Sequence, residues 1–158
     1  MNLEEITQSK VPLTKSDETI SFRWELNCEN ATKTIKIKDF DLYQVEKPYM
    51  DLFFLLDKET PISYIAVMPG DERGFISISI VRSSYQKQNL GELLYYYLIK
   101  KYGKIYSDSS HTEASTRLYQ RLVNSGKVVA YINEQPLEKI TDAYSQKGAI
   151  CLKLKENK

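Results

Sequence analysis

The stretch FISISIVRSSYQKQNLGELLYYYL, Phe75 to Leu98, decides the fold, because the period of its apolar residues changes inside it. From Phe75 to Val81 the chain alternates, with Ile76, Ile78 and Ile80 on one side and Ser77 and Ser79 on the other. A period of two specifies a strand. From Asn89 onward the apolar residues are Leu90, Leu93, Leu94, Tyr97 and Leu98. Spacings of three and four specify a helix with one buried stripe. Strand, polar turn and helix follow one another, so the turn lies at the N-terminus of the helix. The first amides there have no internal partners, and the dipole gives them partial positive charge. Phosphate or pyrophosphate is a natural ligand for such an end. Gly91 in the first turn lets a ligand approach the backbone, and Gln86, Lys87 and Gln88 offer side-chain donors. The plainer alternative is that Asn89 is an ordinary N-cap. There is no Gly-Lys-Ser, which excludes a Walker loop, and the single glycine excludes a Rossmann loop.

Upstream of this stretch the reading is of strands. TISFRWEL (Thr19–Leu26) alternates Ile20, Phe22, Trp24 and Leu26 with polar residues and predicts a strand. KTIKIKDFDLYQV (Lys33–Val45) predicts another, bent near Asp39, and MDLFFLLD and PISYIAVMP a hairpin about KETP. Downstream, Gly103 ends the helix, KIYSD reads as a short strand, and HTEASTRLYQRLVNSG as a second helix with Ala114, Leu118 and Leu122 on one face. KVVAYI and AICLKL read as the closing strands, joined by a connection that holds a helical turn at most. The expected architecture is mixed α/β (α+β), a polar arm over residues 1–18 followed by one domain over 19–158.

Bulk properties narrow the function. The chain has 158 residues, enough for a real core, and 22 basic against 21 acidic side chains. A net charge of +1 gives no bulk argument for nucleic acid or an acidic membrane as partner. Cys28 and Cys151 lack metal-ligand spacing, and with His111 as the one histidine no metal site is expected. MNLEEITQSKVPL has no basic segment before an apolar core, and no apolar run reaches membrane-spanning length, so a cytoplasmic protein is expected.

The succession Val81-x-x-x-Tyr85-Gln86-x-x-Asn89-x-Gly91 resembles the acyl-CoA-binding motif of the GNAT superfamily of N-acetyltransferases, a strand, then Gln/Arg-x-x-Gly-x-Gly/Ala, then a helix. Gln86 matches the leading position and Gly91 the last, while Asn89 replaces the middle glycine; Asn tolerates unusual backbone angles better than most residues. Leu118-Tyr119 stands where the family has Leu-Tyr on its next helix. The resemblance covers about the last hundred residues, and its layout is most similar to divergent phage or mobile-element members. It implies a GNAT-like, mostly antiparallel twisted central sheet with flanking helices. It implies acetyl transfer from acetyl-CoA to an amine, whether a protein lysine, a protein N-terminus or a small molecule. The backbone at Val81 would hold the pantetheine arm, and Gln86, Lys87, Gln88, Asn89, Leu90 and Gly91 the pyrophosphate. Tyr119 would protonate the departing thiolate, a role a positioned phenol can fill. With Leu118 and Leu122 inward, Tyr119 is expected at the edge of its helix's stripe.

The family places two helices after its first strand, where the present reading has strands. No general base stands out: Asp108, His111 and Glu113 lie near, but each reads as a capping or surface residue. Two alternatives stay open, a non-catalytic member that binds a partner protein or CoA, and an unrelated α/β interaction domain. A homodimer through AICLKL as an edge strand is a further expectation.

Overall fold

The segment that alternates as a strand is a helix. In the computed structural model, which describes residues 15–70, 73–81, 85, 89–106, 113–132, 135–137 and 150–155, α1 spans Lys15–Asn27. The sequence permits both readings because a period of two contains a period of four. Ile20 and Trp24 are four apart and turn inward; Phe22 and Leu26 are also four apart and turn outward, 57% and 59% exposed. Asp17, Ser21 and Asn27 are buried with Ile20 and complete a helical stripe. Asp17 and Glu18 in the first turn complement the dipole. A short 3-10 turn, Cys28–Asn30, follows and is closed by the Ala31 amide donating to the Cys28 carbonyl.

The chain divides into two compact units, Met1–Ala66 with Ile78–Leu90, and Val67–Ser77 with Gly91–Lys158. In the first, β1 (Thr32–Ile37), β2 (Phe40–Glu46), β3 (Asp51–Asp57) and β4 (Thr60–Gly70) follow one another in the order β1-β2-β3-β4, with β4 running on into the second unit. The single bent strand expected over Lys33–Val45 is a hairpin. Ile37 faces Phe40, and Lys38 at its turn takes a φ of 56°. The β3–β4 hairpin about KETP stands as read, with Lys58 at a φ of 57°.

The core of this unit explains why the helix wins. Ile20 is buried among Val45, Leu52, Phe54, Leu56, Tyr64 and Ala66. Trp24 sets its edge against Tyr43 at 5.4 Å and Phe54 at 5.1 Å, and Phe54 stacks on Tyr64. Burying an indole and an isoleucine against a ready aromatic face outweighs a local β preference. Residues Leu52 to Leu56 are buried without a break, so β3 is covered on both faces and its sequence runs apolar rather than alternating.

In the second unit β5 (Arg73–Val81), which runs back into the first from Ile78, pairs in parallel with β6 (Lys104–Tyr106). Helix α2 (Leu90–Tyr102) precedes β6, and Gly103 at a φ of 83° ends it. Helix α3 (Glu113–Asn124) leads to Gly126 at a φ of 78°, then to β7 (Val128–Ile132), β8 (Gln135–Pro136) and β9 (Ile150–Leu154). The strand order is β5-β6-β9-β7-β8. The expected mixed, mostly antiparallel architecture with flanking helices is present, but AICLKL is no edge. β9 pairs antiparallel with β6 on one side and β7 on the other, so its backbone groups are spent inside the sheet and the dimer route through it is closed.

The α2 stripe is also broader than its leucines suggest. Leu90, Leu94, Tyr95, Leu98 and Ile99 are buried, whereas Leu93 is 38% exposed. Tyr95 and Ile99, four apart, take the places that the spacing assigns to Leu93 and Tyr97.

One buried phenol gives a pH signature. Burial pushes the Tyr64 hydroxyl up from its ordinary value, and the Arg23 charge opposes part of that. The unfolded chain therefore loses this proton first, so the contribution is whole below about pH 10 and is lost as pH rises through the folded value. Tyr64→Phe keeps the ring on Phe54 and removes the titration. Across about pH 9.5 to 11, urea melts of Tyr64→Phe show a smaller loss of stability than those of the wild type.

Candidate functional site

The turn between β5 and α2 was the sequence's candidate for an anion. Val81 closes β5, so the backbone assigned to the pantetheine arm sits at a strand end. Gln86, Lys87 and Gln88 lie outside the described residues, as do Asp108 and His111. Asn89 stands immediately before α2, exposed, with a φ of 59°. An N-cap normally takes extended backbone, whereas a residue replacing glycine takes the left-handed region. Asn89 does the second. The backbone here has the conformation that glycine adopts without strain, and Asn is among the few other residues that adopt it readily. Leu90 is buried and anchors the first turn of α2.

In the second unit, Gly91 has a packing role. A Cβ built on Gly91 would lie 3.3 Å from Leu118 Cδ1. Its bare Cα lets α3 approach the first turn of α2. One residue on, Glu92 Oε1 accepts from Arg121 Nε. Both side chains are exposed enough for solvent to screen the pair, which makes it a register pin more than a source of stability. One turn further along α2, Tyr95 meets Tyr119 with ring centroids 6.0 Å apart. Tyr119 is 4% exposed, and Thr116 and Leu122 are buried with it. The expected stripe of α3 is thus rotated. Leu118 is half-buried against Gly91, and Tyr119 is in the core of the helix pair instead of at its rim. Leu118 needs only the narrow space that glycine leaves, and this turns the larger ring inward toward Tyr95. Glu113 opens α3.

Sequence reasoning missed two partners. Asp57 accepts from the Tyr85 hydroxyl at 2.7 Å, and Phe40 meets the Tyr85 ring at 5.8 Å in an edge arrangement. Asp57 lies 28 residues from Tyr85, beyond any local pattern. Tyr95 was visible as an aromatic but not as the partner of Tyr119.

Among the described residues no three His, Cys, Asp or Glu side chains form a group that could hold a metal, and no helix is long and apolar enough to cross a membrane. A model of the acetyltransferase (GNAT) family matches residues 17–124. No curated protein matches the chain. Among solved structures, the ribosomal-protein-S18-alanine N-acetyltransferase of Escherichia coli is similar at 15% identity, over 90% of this chain and 88% of its own, with a TM-score of 0.42. An acetyltransferase of Thermus thermophilus is similar at 15% identity, over 69% and 66%, with a TM-score of 0.45.

Backbone and packing make separable demands at Asn89 and Gly91. Asn89→Gly melts within about 3 °C of the wild type, whereas the β-branched Asn89→Val at positive φ loses about 1–2 kcal/mol. Gly91→Ala asks Leu118 to move a few tenths of an ångström and is nearly neutral in stability, whereas Gly91→Leu overpacks the helix pair by about 1–3 kcal/mol. Chemical denaturation of the four variants measures both.

Proposed function

The chain belongs to the acetyltransferase (GNAT) family, and we propose that it moves the acetyl group of acetyl-CoA directly to an amine on a protein or a small molecule. The observation that carries this reading is the backbone of Asn89. It takes a glycine-like φ at the position where the family's motif has glycine, one residue before a 13-residue helix. A helix N-terminus preceded by such a turn presents amides to an anion. In this reading the amides from Gln86 to Gly91 hold the pyrophosphate, and the strand end at Val81 aligns the pantetheine arm.

Acetyl-CoA supplies an activated thioester, and the residues of the chain do the rest. The amine nitrogen bonds to the thioester carbon, the carbon–sulfur bond breaks, and the sulfur leaves as thiolate. Tyr119 gives that sulfur its phenolic proton, and the proton lost by the amine passes to water. The burial of Tyr119 beside Tyr95 supports this role, because a fixed phenol in a dry setting is already aligned when the thiolate forms. A cytoplasmic setting, where acetyl-CoA is made and used, suits the reading.

Calorimetry with acetyl-CoA is the first test. The wild type binds, and Gly91→Glu, which places a carboxylate at the helix N-terminus, does not. Tyr119→Phe retains the ring packing and the acetyl-CoA affinity, but lowers turnover by about a hundredfold. Turnover is followed as deuterated acetyl appearing on lysate amines by mass spectrometry. Absence of wild-type binding at millimolar acetyl-CoA overturns the reading. Binding without any transfer assigns the chain to the non-catalytic members.

A further inference from the structure

We infer that one face of the strands β6, β9 and β7 is a docking surface for a single-stranded nucleic acid, whose phosphates lie along lysines and whose bases stack on Tyr106 and Tyr131. The inference does not rest on the acetyl-CoA reading.

The near-neutral total charge hides a local excess. The described residues 93–106, 127–132 and 150–155 carry six lysines, Lys100, Lys101, Lys104, Lys127, Lys153 and Lys155, and no Asp or Glu. They belong to α2 and to the three strands or their ends. Lys100 and Lys101 answer the dipole at the C-terminus of α2. That reason does not extend to the others. Lys104 and Lys153 are direct partners across β6 and β9, and like charges in that position disfavour a sheet. Beside them, the Lys155 amide donates to the Lys127 carbonyl, so two more lysines follow at the same end. Lys127 and Lys100 both bring their ammonium groups to the Tyr96 ring, 5.5 Å and 5.3 Å from its centroid. A polyanion relieves this crowding of like charge and releases the counterions condensed on its phosphates.

Register and burial place the aromatics. Ile105, Leu152 and Ala130 are aligned across the three strands and are buried, so one face of the sheet is packed. Their chain neighbours turn to the other face, which is half-exposed. There Lys104, Lys153 and Val129 form one row, and Tyr106, Cys151 and Tyr131 form the next. Strand geometry sets the rows about 7 Å apart and the two tyrosine backbones about 10 Å apart, with Cys151 between them. Lys153 holds its ammonium 4.7 Å from the Tyr131 centroid. A base stacks on tyrosine more strongly than an exposed ammonium holds the ring, so the base takes the ring and Lys153 turns to a phosphate. An acidic peptide matches the charge but brings no flat ring to the tyrosines. A duplex has its bases already stacked on one another. Lysine and tyrosine rows side by side therefore select a single strand.

The test separates charge from stacking. The full chain is titrated into a fluorescein-labelled oligouridylate of about 12 nucleotides, and binding is read by fluorescence anisotropy at several salt concentrations. The wild type binds, and log K falls with log salt at a slope of about −3, the value for about four phosphates on a single strand. Lys104→Gln with Lys153→Gln raises the Kd about 10- to 100-fold at low salt and makes the slope shallower by about 1.4. Tyr131→Leu raises the Kd about 5- to 50-fold and leaves the slope unchanged, whereas Tyr131→Phe retains the affinity. Each variant melts within about 3 °C of the wild type. Ultraviolet crosslinking of the wild type, which needs no variant to fold, puts the uridine adducts on Tyr106 or Tyr131 by peptide mass spectrometry. Absence of wild-type binding below about 100 μM at low salt overturns the inference. So do adducts confined to other residues, or a lysine pair whose removal changes neither affinity nor slope. If polyglutamate displaces the probe as well as unlabelled oligouridylate does, the surface takes any polyanion, and the assignment to nucleic acid is overturned.

Discussion

The close seat of Leu118 over Gly91 is the constraint that sets how α2 and α3 meet in the second unit. A small residue there leaves room for α3 at the first turn of α2, whereas a long side chain would overpack the pair. Each further contact between them follows from that approach: Glu92 reaches Arg121, and Tyr95 reaches Tyr119. The three contacts fall within little more than a turn of α2, where Tyr95 lies four residues from Gly91 and three from Glu92, the spacings that share a surface. A glycine that the motif would explain by ligand approach thus has a second cause in packing. The two causes are compatible, since a residue without a side chain can serve a ligand on one side and a leucine on the other.

The region around Phe75–Leu98 was legible in the sequence because a switch from period two to spacings of three and four is a local signal. So were Gly103 and Gly126, which end helices at the positive φ that glycine accommodates. α1 was not legible, since Ile20, Phe22, Trp24 and Leu26 satisfy a strand's alternation and a helix's i, i+4 pairs at once. The decision belongs to Phe54, Tyr43 and Tyr64, which form the surface that Trp24 and Ile20 cover. The interior place of β9 was equally hidden, because its neighbours β6 and β7 are far away in the chain. For the candidate site, Asn89 was readable as a glycine substitute only through the family motif, since by residue type alone it reads as an N-cap. The inward turn of Tyr119 was not, because it depends on how Leu118 seats on another helix.

The first unit handles conformational freedom in one consistent way. Among its described residues, three that are not glycine hold positive φ, Lys38, Lys58 and Asn89. The two lysines turn hairpins, where the flanking ladders force the geometry. Asn89 has no ladder on its helical side, and its own side chain is what makes the conformation tolerable. The family's glycine would relax that turn but would also enlarge the freedom of the unfolded chain, so asparagine exchanges a little strain for a smaller entropy loss.

The order β1-β2-β3-β4 has a consequence for synthesis. Each strand pairs with the one just made, across turns as short as Lys38-Asp39 and Lys58-Glu59, so little loop entropy stands in the way. The meander can close as the chain leaves the ribosome, with α1 already available to cover it. The second unit has no such option. β6 waits for β9, the last of the described strands, and until Ile150–Leu154 has emerged, β6 and β7 stand without the strand between them. Growth of the nascent chain therefore separates an early-folding half from a late one, and the exposed interval between them is where a chaperone would act.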